Sequence, residues 1–288
     1  MRIAQALAAA AAHGIARLDA QLLLLHALGR RDDQRAWLLA HDDAELAPVQ
    51  QAAFMSMCER RRTGEPVAYL VGHKEFYGMR LAVDRRVLVP RPDTETLVDW
   101  ALETLGARST APQPGDADRR PRGHPRILDL GTGSGAIALA IKKHRPDAHV
   151  EAVDRDPAAL EVARSNGDML SLEVEFRQAS WLEGAGAYDL IVSNPPYVAA
   201  GDEHLAHLSH EPPCALASGP AGLDDIRAIV RQAGAHLHAG GWLLLEHGWD
   251  QAAKVRSLFE QHGFTQVGSR RDLGGIERCT GGRRPELG

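Results

Sequence analysis

The chain has 288 residues, which is enough for about two domains. Its 33 basic and 38 acidic residues give a formal net charge of −5, and 44% of its residues are hydrophobic, so the composition excludes wholesale disorder and does not indicate a strongly basic nucleic-acid-binding protein. Three cysteines without CxxC spacing predict a reducing, cytoplasmic location rather than a disulfide scaffold, and no window has the roughly 18 apolar residues of a membrane span.

Residues 1–65 have the apolar spacing of helices. One stripe contains Ile3, Leu7 and Ala10, and a second runs from Leu18 to Leu25 before Gly29, where a helix is expected to end. Two further helices are expected after residue 36 and over residues 49–62. The alanine-rich start is interpreted as a helix, with a signal peptide as the alternative. Because this region contains no catalytic constellation, it predicts a small helical domain that binds or positions a partner.

Residues 66–92 change to a β-like pattern. Residues 76–83 and 86–89 predict a β-hairpin with its turn near Asp84, joining two domains. A helix is expected to begin at Asp93 or Thr94 and to run to Leu105. Residues 107–125 are dense in Pro, Gly, Asp and Arg without apolar periodicity, which predicts a flexible insertion.

After residue 125 the pattern alternates between strands and helices. Apolar β runs lie at 126–130, 149–153, 173–177, 188–193 and 241–246, with helical patterns at 136–144, 157–167, 223–238 and 250–261 between or after them. Residues 264–280 can add a final antiparallel pair. This alternation predicts an α/β fold with a parallel sheet covered on both faces.

A glycine-rich segment, Asp129-Leu-Gly-Thr-Gly-Ser-Gly135, follows the first of these strands and opens a helix. Glycines let the backbone turn sharply and let a ligand approach closely, and open parallel sheets bind ligands at the carboxyl ends of their strands. The next strand ends at Asp154, 23 residues after Gly131, where a carboxylate can accept hydrogen bonds from two ribose hydroxyls. The loop and the acid together predict a cofactor site at this edge.

Two cofactors are compatible with the glycine loop. GTGSGA satisfies the GxGxxA pattern of an NAD site, in which a pyrophosphate lies at a helix N-terminus. Asp129, two residues before Gly131, is more typical of an S-adenosyl-L-methionine site, because an acid can help to hold the ammonium and sulfonium groups. A tight turn without a ligand is the third possibility. The loop alone favours the methyl donor and leaves the dinucleotide open.

The segment Asn194-Pro-Pro-Tyr197 follows the strand at 188–193. A Pro-Pro pair cannot continue a central strand, so it fixes an extended turn close to the glycine loop. Asn194 offers a side-chain carbonyl and Pro195 a main-chain carbonyl, and these two acceptors can bind both hydrogens of a planar –NH2 group while Tyr197 packs on its face. Accepting these hydrogen bonds raises the electron density on a delocalised nitrogen and aims its lone pair at a sulfonium methyl group. A plain proline turn is the alternative.

With these residues, the chain resembles the class I S-adenosylmethionine methyltransferases that act on amino groups, since DLGTGSG, VDRDP and NPPY occur in their order and spacing. Further segments resemble the HemK family: EPVAYLVGHKEFYGM at 65–79, VLVPRPDTETLV at 87–98, EP at 211–212 and LLLEHGW at 243–249. The resemblance covers nearly the whole chain except 107–125. It implies a Rossmann-like α/β fold with a mostly parallel seven-stranded sheet, plus a small N-terminal helical domain joined by a β-hairpin.

The resemblance also implies an activity and a division of the chain. Members of the HemK family use S-adenosyl-L-methionine to methylate the side-chain N(5) of the glutamine in the GGQ motif of peptide-chain release factors. Release factors are therefore the expected partners, and neither a membrane nor direct nucleic-acid binding is expected. Residues 1–65 are expected to dock the substrate, 66–92 to form the hairpin linker and 93–288 to form the methyltransferase domain.

The resemblance implies a set of site residues. The donor is expected to contact Asp129, Gly131, Thr132, Gly133, Ser134, Gly135, Asp154, Trp181 and Asn194. The substrate amide is expected to contact Asn194, Pro195, Pro196 and Tyr197, with Asn194, Pro195 and Tyr197 carrying the catalytic role. For Trp181 an ordinary core position is the alternative. Arg91 and Glu95 are expected at the pocket entrance, or else in a surface ion pair.

Two other functions and a metal site are weighed against this expectation. NPPY also occurs in DNA adenine-N(6) methyltransferases, but an enzyme that flips a base out of duplex DNA needs a basic cleft, and this chain is acidic. A non-catalytic binding module is opposed by the complete glycine loop and NPPY segment. His204, His207 and His210, with Cys214 nearby, could hold zinc, but ligands at this spacing drift around a helix, so no metal is expected.

Overall fold

The computed structural model describes residues 1–107 and 124–286, so most of the predicted insertion at 107–125 lies outside the described residues. The chain divides into two compact units. Unit 1 contains Met1–His73 with Ala206–His210, and unit 2 contains Lys74–Leu205 with Glu211–Gly288. Within the described residues, no helix is long and apolar enough to span a bilayer.

Unit 1 is helical, as predicted. Its helices are α1 (Ile3–Ala12), α2 (Arg17–Ala27), α3 (Arg35–Ala40), α4 (Pro48–Arg62) and α5 (Val67–Val71). Gly29 takes a positive φ of 64° and the amide of Arg30 bonds the carbonyl of Leu25, so the predicted stop of the second helix is confirmed. The apolar faces meet in one core that includes Ile3, Leu24 and Phe54. The short helix α5 was not predicted.

The hairpin lies earlier than predicted. Its strands are β1 (His73–Phe76) and β2 (Met79–Ala82), so the prediction of strands at 76–83 and 86–89 is wrong in register. Tyr77 and Gly78 both take positive φ values, 50° and 66°, which is the backbone of a two-residue hairpin turn. Residues 86–89 form no strand; instead the amide of Val89 donates to the carboxylate of Glu211 at 3.1 Å.

Unit 2 is an α/β sheet with helices on both faces. Its strands after the hairpin are β3 (Arg126–Leu130), β4 (His149–Asp154), β5 (Glu175–Gln178), β6 (Tyr188–Ser193), β7 (Leu237–Glu246), β8 (Thr265–Arg271) and β9 (Glu277–Arg283). Its helices are α6 (Glu95–Ala107), α7 (Ala136–His144), α8 (Pro157–Leu170), α9 (Asp224–Ala233) and α10 (Ala252–Gln261). The predicted α/β class and the final antiparallel pair are confirmed.

The sheet has the strand order β5-β4-β3-β6-β7-β9-β8. The pairs from β5 to β7 are parallel, whereas β9 is antiparallel to both of its neighbours. Alternate side chains of a strand point to opposite faces of the sheet and pack in different hydrophobic cores. Ile127 packs with α6 and α7, and Leu128 packs with α9 and α10. A mostly parallel sheet buried on both faces explains the continuous apolar runs in the sequence.

The strand ends define the edge at which a ligand can bind. Leu130 pairs with Val153 on one side and with Ser193 on the other, and Ser193 pairs with Leu245, so the carboxyl ends of β3, β4, β6 and β7 are level. The chain leaves β3 toward β4 and later returns to β6 on the other side of β3. This reversal is the topological switch point at which open α/β sheets bind ligands.

Candidate active site at the carboxyl edge

The glycine loop is held mainly by its own neighbours. The amides of Gly131 and Thr132 donate to the carbonyl of Val153 at 2.8 and 3.0 Å, and the amide of Gly133 donates to Asp154 Oδ2 at 2.9 Å. Gly131, Gly133 and Gly135 all have positive φ values, which non-glycine residues adopt only with strain. Because these amides are already bonded within the protein, the loop offers few donors for a phosphate. This geometry disfavours the dinucleotide that the sequence left open.

Asp129 supports the loop from inside the protein. Its side chain has no exposed surface, and its Oδ2 accepts from the Thr132 hydroxyl at 2.6 Å and from the amide of Ala138 at 3.3 Å. Its Oδ1 is buried and has no hydrogen-bond partner in the described structure. Burial is the main cause that raises the pKa of Asp129, from 3.8 to about 7, and the nearby Asp154 raises it further.

Asp154 and Trp181 lie on the pocket wall. Asp154 ends β4, and its Oδ1 accepts from the amide of Asp156 at 3.0 Å while Oδ2 accepts from the glycine loop, so the carboxylate has a fixed orientation. Trp181 has a φ of 48° and its ring covers Gly131, where an added Cβ would lie 3.3 Å from Trp181 Cζ3. The ring is half-buried and faces the pocket, while its inner side packs on the core. A flat aromatic ring and an oriented carboxylate therefore line the same pocket.

These residues surround one pocket of unit 2. It contains about 970 Å3 of space including its open mouth. Its walls are the glycine loop, Asp154–Asp156, Ala179–Trp181, Asn194 with Pro196, and two outer segments at residues 86–94 and 212–215. The structure thus brings together Gly131–Ser134, Asp154, Trp181, Asn194 and Pro196, whereas Asp129, Gly135, Pro195 and Tyr197 are not among the residues that line the pocket.

The NPPY segment leaves β6 beside the glycine loop. The hydroxyl of Ser193 donates to the carbonyl of Leu130 at 2.7 Å, which ties the end of β6 to the end of β3. Asn194 Nδ2 donates to the hydroxyl of Thr94 at 3.2 Å. The ring of Tyr197 is half-buried against the core, and its main-chain oxygen accepts from Gln251 at 2.9 Å. The segment is therefore fixed at both ends, with Asn194 facing the pocket.

A buried acid, Glu246, lies behind this segment at the end of β7. Its side chain is 1% exposed, and its Oε1 accepts from the hydroxyl of Tyr197 at 3.2 Å. Burial raises the pKa of Glu246 from 4.5 to about 7, and hydrogen bonds from Thr94 and Tyr197 oppose that rise. Burial and Glu246 together raise the pKa of Tyr197. Glu246 and Thr94 were not predicted from the sequence, although both lie in segments that resemble the family.

A partly buried ion pair lies at the pocket wall. Arg91 bonds Glu211, whose side chain is 2% exposed, and Arg91 also lines the pocket. Glu95, by contrast, accepts from the amide of Tyr77 at 2.9 Å in the hairpin turn. Arg91 thus both lines the pocket and forms an ion pair, whereas Glu95 bonds the hairpin turn.

No cluster of potential metal ligands occurs among the residues that the structure describes, and the side chains of His204 and His207 are outside that set.

Comparison with known proteins gives matches over both units. Residues 119–266 match the methyltransferase small domain, and residues 1–72 match the PrmC N-terminal domain. A release factor glutamine methyltransferase from Xylella fastidiosa (strain Temecula1) is 46% identical over 285 residues, covering 97% of this chain and 98% of that protein. A protein with the same description from Bordetella pertussis is 46% identical, covering 93% of this chain and 95% of its own length.

A solved structure supports the fold alone. A methyltransferase from Pyrococcus furiosus aligns with a TM-score of 0.53 at 18% identity, covering 80% of this chain and 98% of that one.

Proposed function

Because this chain belongs to the release factor glutamine methyltransferase family, we propose that it methylates the side-chain amide N(5) of the glutamine in the GGQ motif of peptide-chain release factors. The observation that carries the proposal is the 46% identity to such a methyltransferase over 97% of this chain. The helical unit 1 is included in that match, and we assign to it the docking of the protein substrate. The three cysteines are free, in keeping with a cytoplasmic protein.

The pocket fits S-adenosyl-L-methionine in its chemistry. When bound, this cofactor supplies an electrophilic methyl group. Asp154 would hold the ribose hydroxyls, Trp181 would lie by the adenine, and Gly131–Ser134 would line the methionine and ribose parts, with Gly135 outside the pocket lining. The bonded amides of the glycine loop suit a donor that has no phosphate. Asp129, which has no exposed surface, would act through Thr132 rather than by touching the donor.

The NPPY segment would bind and activate the amide. Asn194 Oδ1 and the main-chain oxygen of Pro195 are the two acceptors for the hydrogens of the substrate –NH2 group, and Pro196 and Tyr197 complete the pocket around it. As nitrogen becomes bonded to the methyl group it gains positive charge, and fixed acceptors stabilise that charge more in the transition state than in the ground state. The nitrogen-bound proton becomes acidic at that point, so a strong general base is not required.

The proposal is tested by transfer of a labelled methyl group from S-adenosyl-L-methionine to purified release factor. Wild-type factor is compared with factor whose GGQ glutamine is replaced, and adenine-rich DNA is assayed in parallel. We expect labelling that requires the glutamine and that falls at least ~100-fold in Asn194→Ala, since a fixed polar contact to the reacting group is removed. Gln232→Ala in α9 is the matched control and should keep wild-type labelling, because the side chain of Gln232 donates to the carbonyl of Ala228 in its own helix and does not line the pocket. Labelling of DNA, or labelling that survives loss of the glutamine, contradicts the proposal.

A further inference from the structure

One buried glutamine joins three loops at the carboxyl edge of the sheet. Gln251, immediately before α10, is 6% exposed. Its Nε2 donates to the carbonyl of Tyr197 at 2.9 Å, and the carbonyls of Ala221 and Gly222 lie 3.4 and 3.3 Å from the same nitrogen. Its Oε1 accepts from the amide of Gly248 at 2.8 Å. The last residue of the NPPY segment is thereby bonded to the loop that follows β7 and to the segment before α9.

The groups around Gln251 admit one orientation of its side-chain amide. A main-chain N–H group can only donate, and a carbonyl oxygen can only accept. Oε1 must therefore point to Gly248 and Nε2 to the three carbonyls, because the reverse would place an oxygen against three oxygens. The contact is also tight. A Cβ added at Gly222, which has a φ of +67°, would overlap the carbonyl oxygen of Tyr197 and lie 2.9 Å from Gln251 Nε2.

The far end of this contact is held by the sheet. The carbonyl of Gly248 bonds Nδ1 of His247 at 2.9 Å, and Nε2 of this fully buried ring bonds the hydroxyl of Thr280 in β9 at 2.8 Å. Because a carbonyl needs a donor, the ring carries a proton on Nδ1. Gln251 thus bonds the NPPY segment to a peptide group that is already fixed on its other side.

The NPPY segment depends on such contacts for its main-chain position. Its two prolines have no N–H to donate, and their rings restrict φ to about −65°, so the segment is short and stiff. Its main chain is held at both ends: the Ser193 hydroxyl bonds the end of β3 before it, and Gln251 bonds the Tyr197 carbonyl after it, where Val198 forms a β-bridge. The carbonyl of Pro195, two residues from Tyr197, moves with that end.

We propose that Gln251 is a positioning residue for methyl transfer, which holds the Tyr197 end of the NPPY segment so that the Pro195 carbonyl faces the substrate –NH2 group. The inference rests on the proposed function, in which that carbonyl accepts from the substrate amide. Gln251 does not line the pocket, so in this scheme it touches neither substrate nor donor. It acts through main-chain groups that need both a donor and an acceptor from one side chain.

The kinetic test uses the full chain with release factor as substrate. Gln251→Met nearly keeps the volume and removes the hydrogen bonds, and Gln251→Glu keeps the shape but turns an acceptor oxygen to the Tyr197 carbonyl. At pH 8 we expect each to lower kcat at least ~10-fold, because small displacements of a group that contacts the reacting atom have large effects. The KM for S-adenosyl-L-methionine should change less than about twofold. Urea unfolding gives the folded fraction to which kcat is referred.

The pH dependence of the variants separates hydrogen bonding from packing. The carboxyl group introduced by Gln251→Glu would be buried against three carbonyl oxygens, which favours its protonated form. A protonated carboxyl group can donate to the Tyr197 carbonyl and accept from Gly248, as glutamine does. The ratio of kcat in Gln251→Glu to kcat in the wild type should therefore rise as the pH falls from 8 to 6. The same ratio for Gln251→Met should stay constant.

Gln232→Glu is the matched control. Gln232 also donates from Nε2 to a carbonyl, that of Ala228 at 2.9 Å within α9, and it does not line the pocket. We expect its kcat and pH profile to match the wild type. Wild-type kcat in the two Gln251 variants, a change confined to the donor KM, or an equal loss in Gln232→Glu would overturn the inference. A kcat ratio for Gln251→Glu that does not change with pH would overturn it as well.

A glycine variant reaches the same contact from the other side and serves if the Gln251 variants do not fold. Gly222→Ala pushes a methyl group into the contact between Tyr197 and Gln251, whereas Gly263→Ala has a similar positive φ, +78°, with open space around it. We expect kcat in Gly222→Ala to be at least ~10-fold below that in Gly263→Ala. Equal kcat values in the two variants would contradict the inference.

A further readout does not depend on activity. The chain contains one Tyr-Val sequence, at residues 197–198, so labelling with 13C-carbonyl tyrosine and 15N-valine gives a single carbonyl–amide cross-peak. Its carbonyl shift should move in Gln251→Met, because the Tyr197 carbonyl loses a hydrogen bond, and should stay in place in Gln232→Glu. If it is unmoved in Gln251→Met, the inference is wrong. If wild-type protein fails to label release factor while the cross-peak moves as expected, the proposed function fails and the Gln251 contact stands.

Discussion

Replacing Asp129 with asparagine should make the protein more stable above neutral pH. The folded-state pKa of Asp129 is raised from 3.8 to about 7, so this group favours folding only while it can keep its proton. Its contribution is complete below pH ~4, the unfolded pKa, and is lost as pH rises through about 7. At about 1.4 kcal/mol for each pH unit between the two pKa values, burying the charged form costs about 4 kcal/mol.

The gain in the variant is smaller than this cost. The asparagine Oδ1 can still accept from Thr132 and from the amide of Ala138, but its –NH2 group replaces the unpartnered Oδ1 of Asp129 and leaves a buried donor unsatisfied, which costs roughly 1–3 kcal/mol. We therefore expect a net gain of about 1–3 kcal/mol at pH 8. Between pH 6 and pH 8 the wild type should lose about 1 kcal/mol relative to Asp129→Asn.

Urea unfolding followed by tryptophan fluorescence at pH 6, 7 and 8 measures this difference. Asp168→Asn, an exposed carboxylate on α8, is the control and should follow the wild type at every pH. Calorimetric titration with S-adenosyl-L-methionine should show a change in Kd below about threefold, because the Thr132 bond is kept. Parallel pH dependences of wild type and Asp129→Asn would refute the reasoning. A tenfold loss of donor affinity without a gain in stability would show that Asp129 acts on the donor by its charge.

Three further substitutions test how the glycine loop is held. Gly135→Ala should lower the free energy of unfolding by about 2 kcal/mol, since φ is +83° and the new Cβ would lie 3.0 Å from a methyl of Leu139. Gly133→Ala should lower it by about 1 kcal/mol, because the space around Gly133 is open. Equal losses of the two variants in urea unfolding would contradict this difference. Asn166→Ala should cost about 2–4 kcal/mol and weaken donor binding, because the Asn166 side chain bonds both main-chain groups of Ala82 and the carbonyl of Ser134 in the loop. If Asn166→Ala is destabilised but binds the donor with wild-type affinity, Asn166 stabilises the fold without affecting donor binding.

Local patterns predicted the α/β unit well and the hairpin poorly. The strands at 126–130 and 188–193 match because long apolar runs bounded by glycine or proline leave few alternative boundaries. The hairpin was misplaced because its turn, Tyr77-Gly78, interrupts a continuous β-like run, whereas Asp84 had the composition of a turn. The extended segment at 86–89 finds its main-chain partner in a side chain more than 120 residues later, Glu211, which no local pattern can indicate.

Separation along the chain also explains which site residues could be predicted from the sequence. The glycine loop and the NPPY segment carry their chemistry in consecutive residues, so their spacing was enough to predict them. Thr94 and Glu246 contact the NPPY segment from distant parts of the chain: Thr94 accepts from Asn194, which is 100 residues later, and Glu246 accepts from Tyr197. Each looks ordinary in its own segment: a hydroxyl before a helix and an acid at the end of an apolar strand. Their meeting depends on the level ends of β6 and β7, which is a property of the folded sheet.

Among the described residues, two buried carboxyl oxygens have no hydrogen-bond partner. They are Asp129 Oδ1 and Glu246 Oε2, in β3 and in β7 on either side of β6. Other buried acids are better satisfied: Glu151 accepts from Tyr188 and Arg177, and Glu211 from Arg91 and Val89. An unsatisfied buried carboxyl group lowers stability, and carboxyl groups with strongly shifted pKa values cluster at functional sites; these two lie in the strands that carry the glycine loop and flank the NPPY segment.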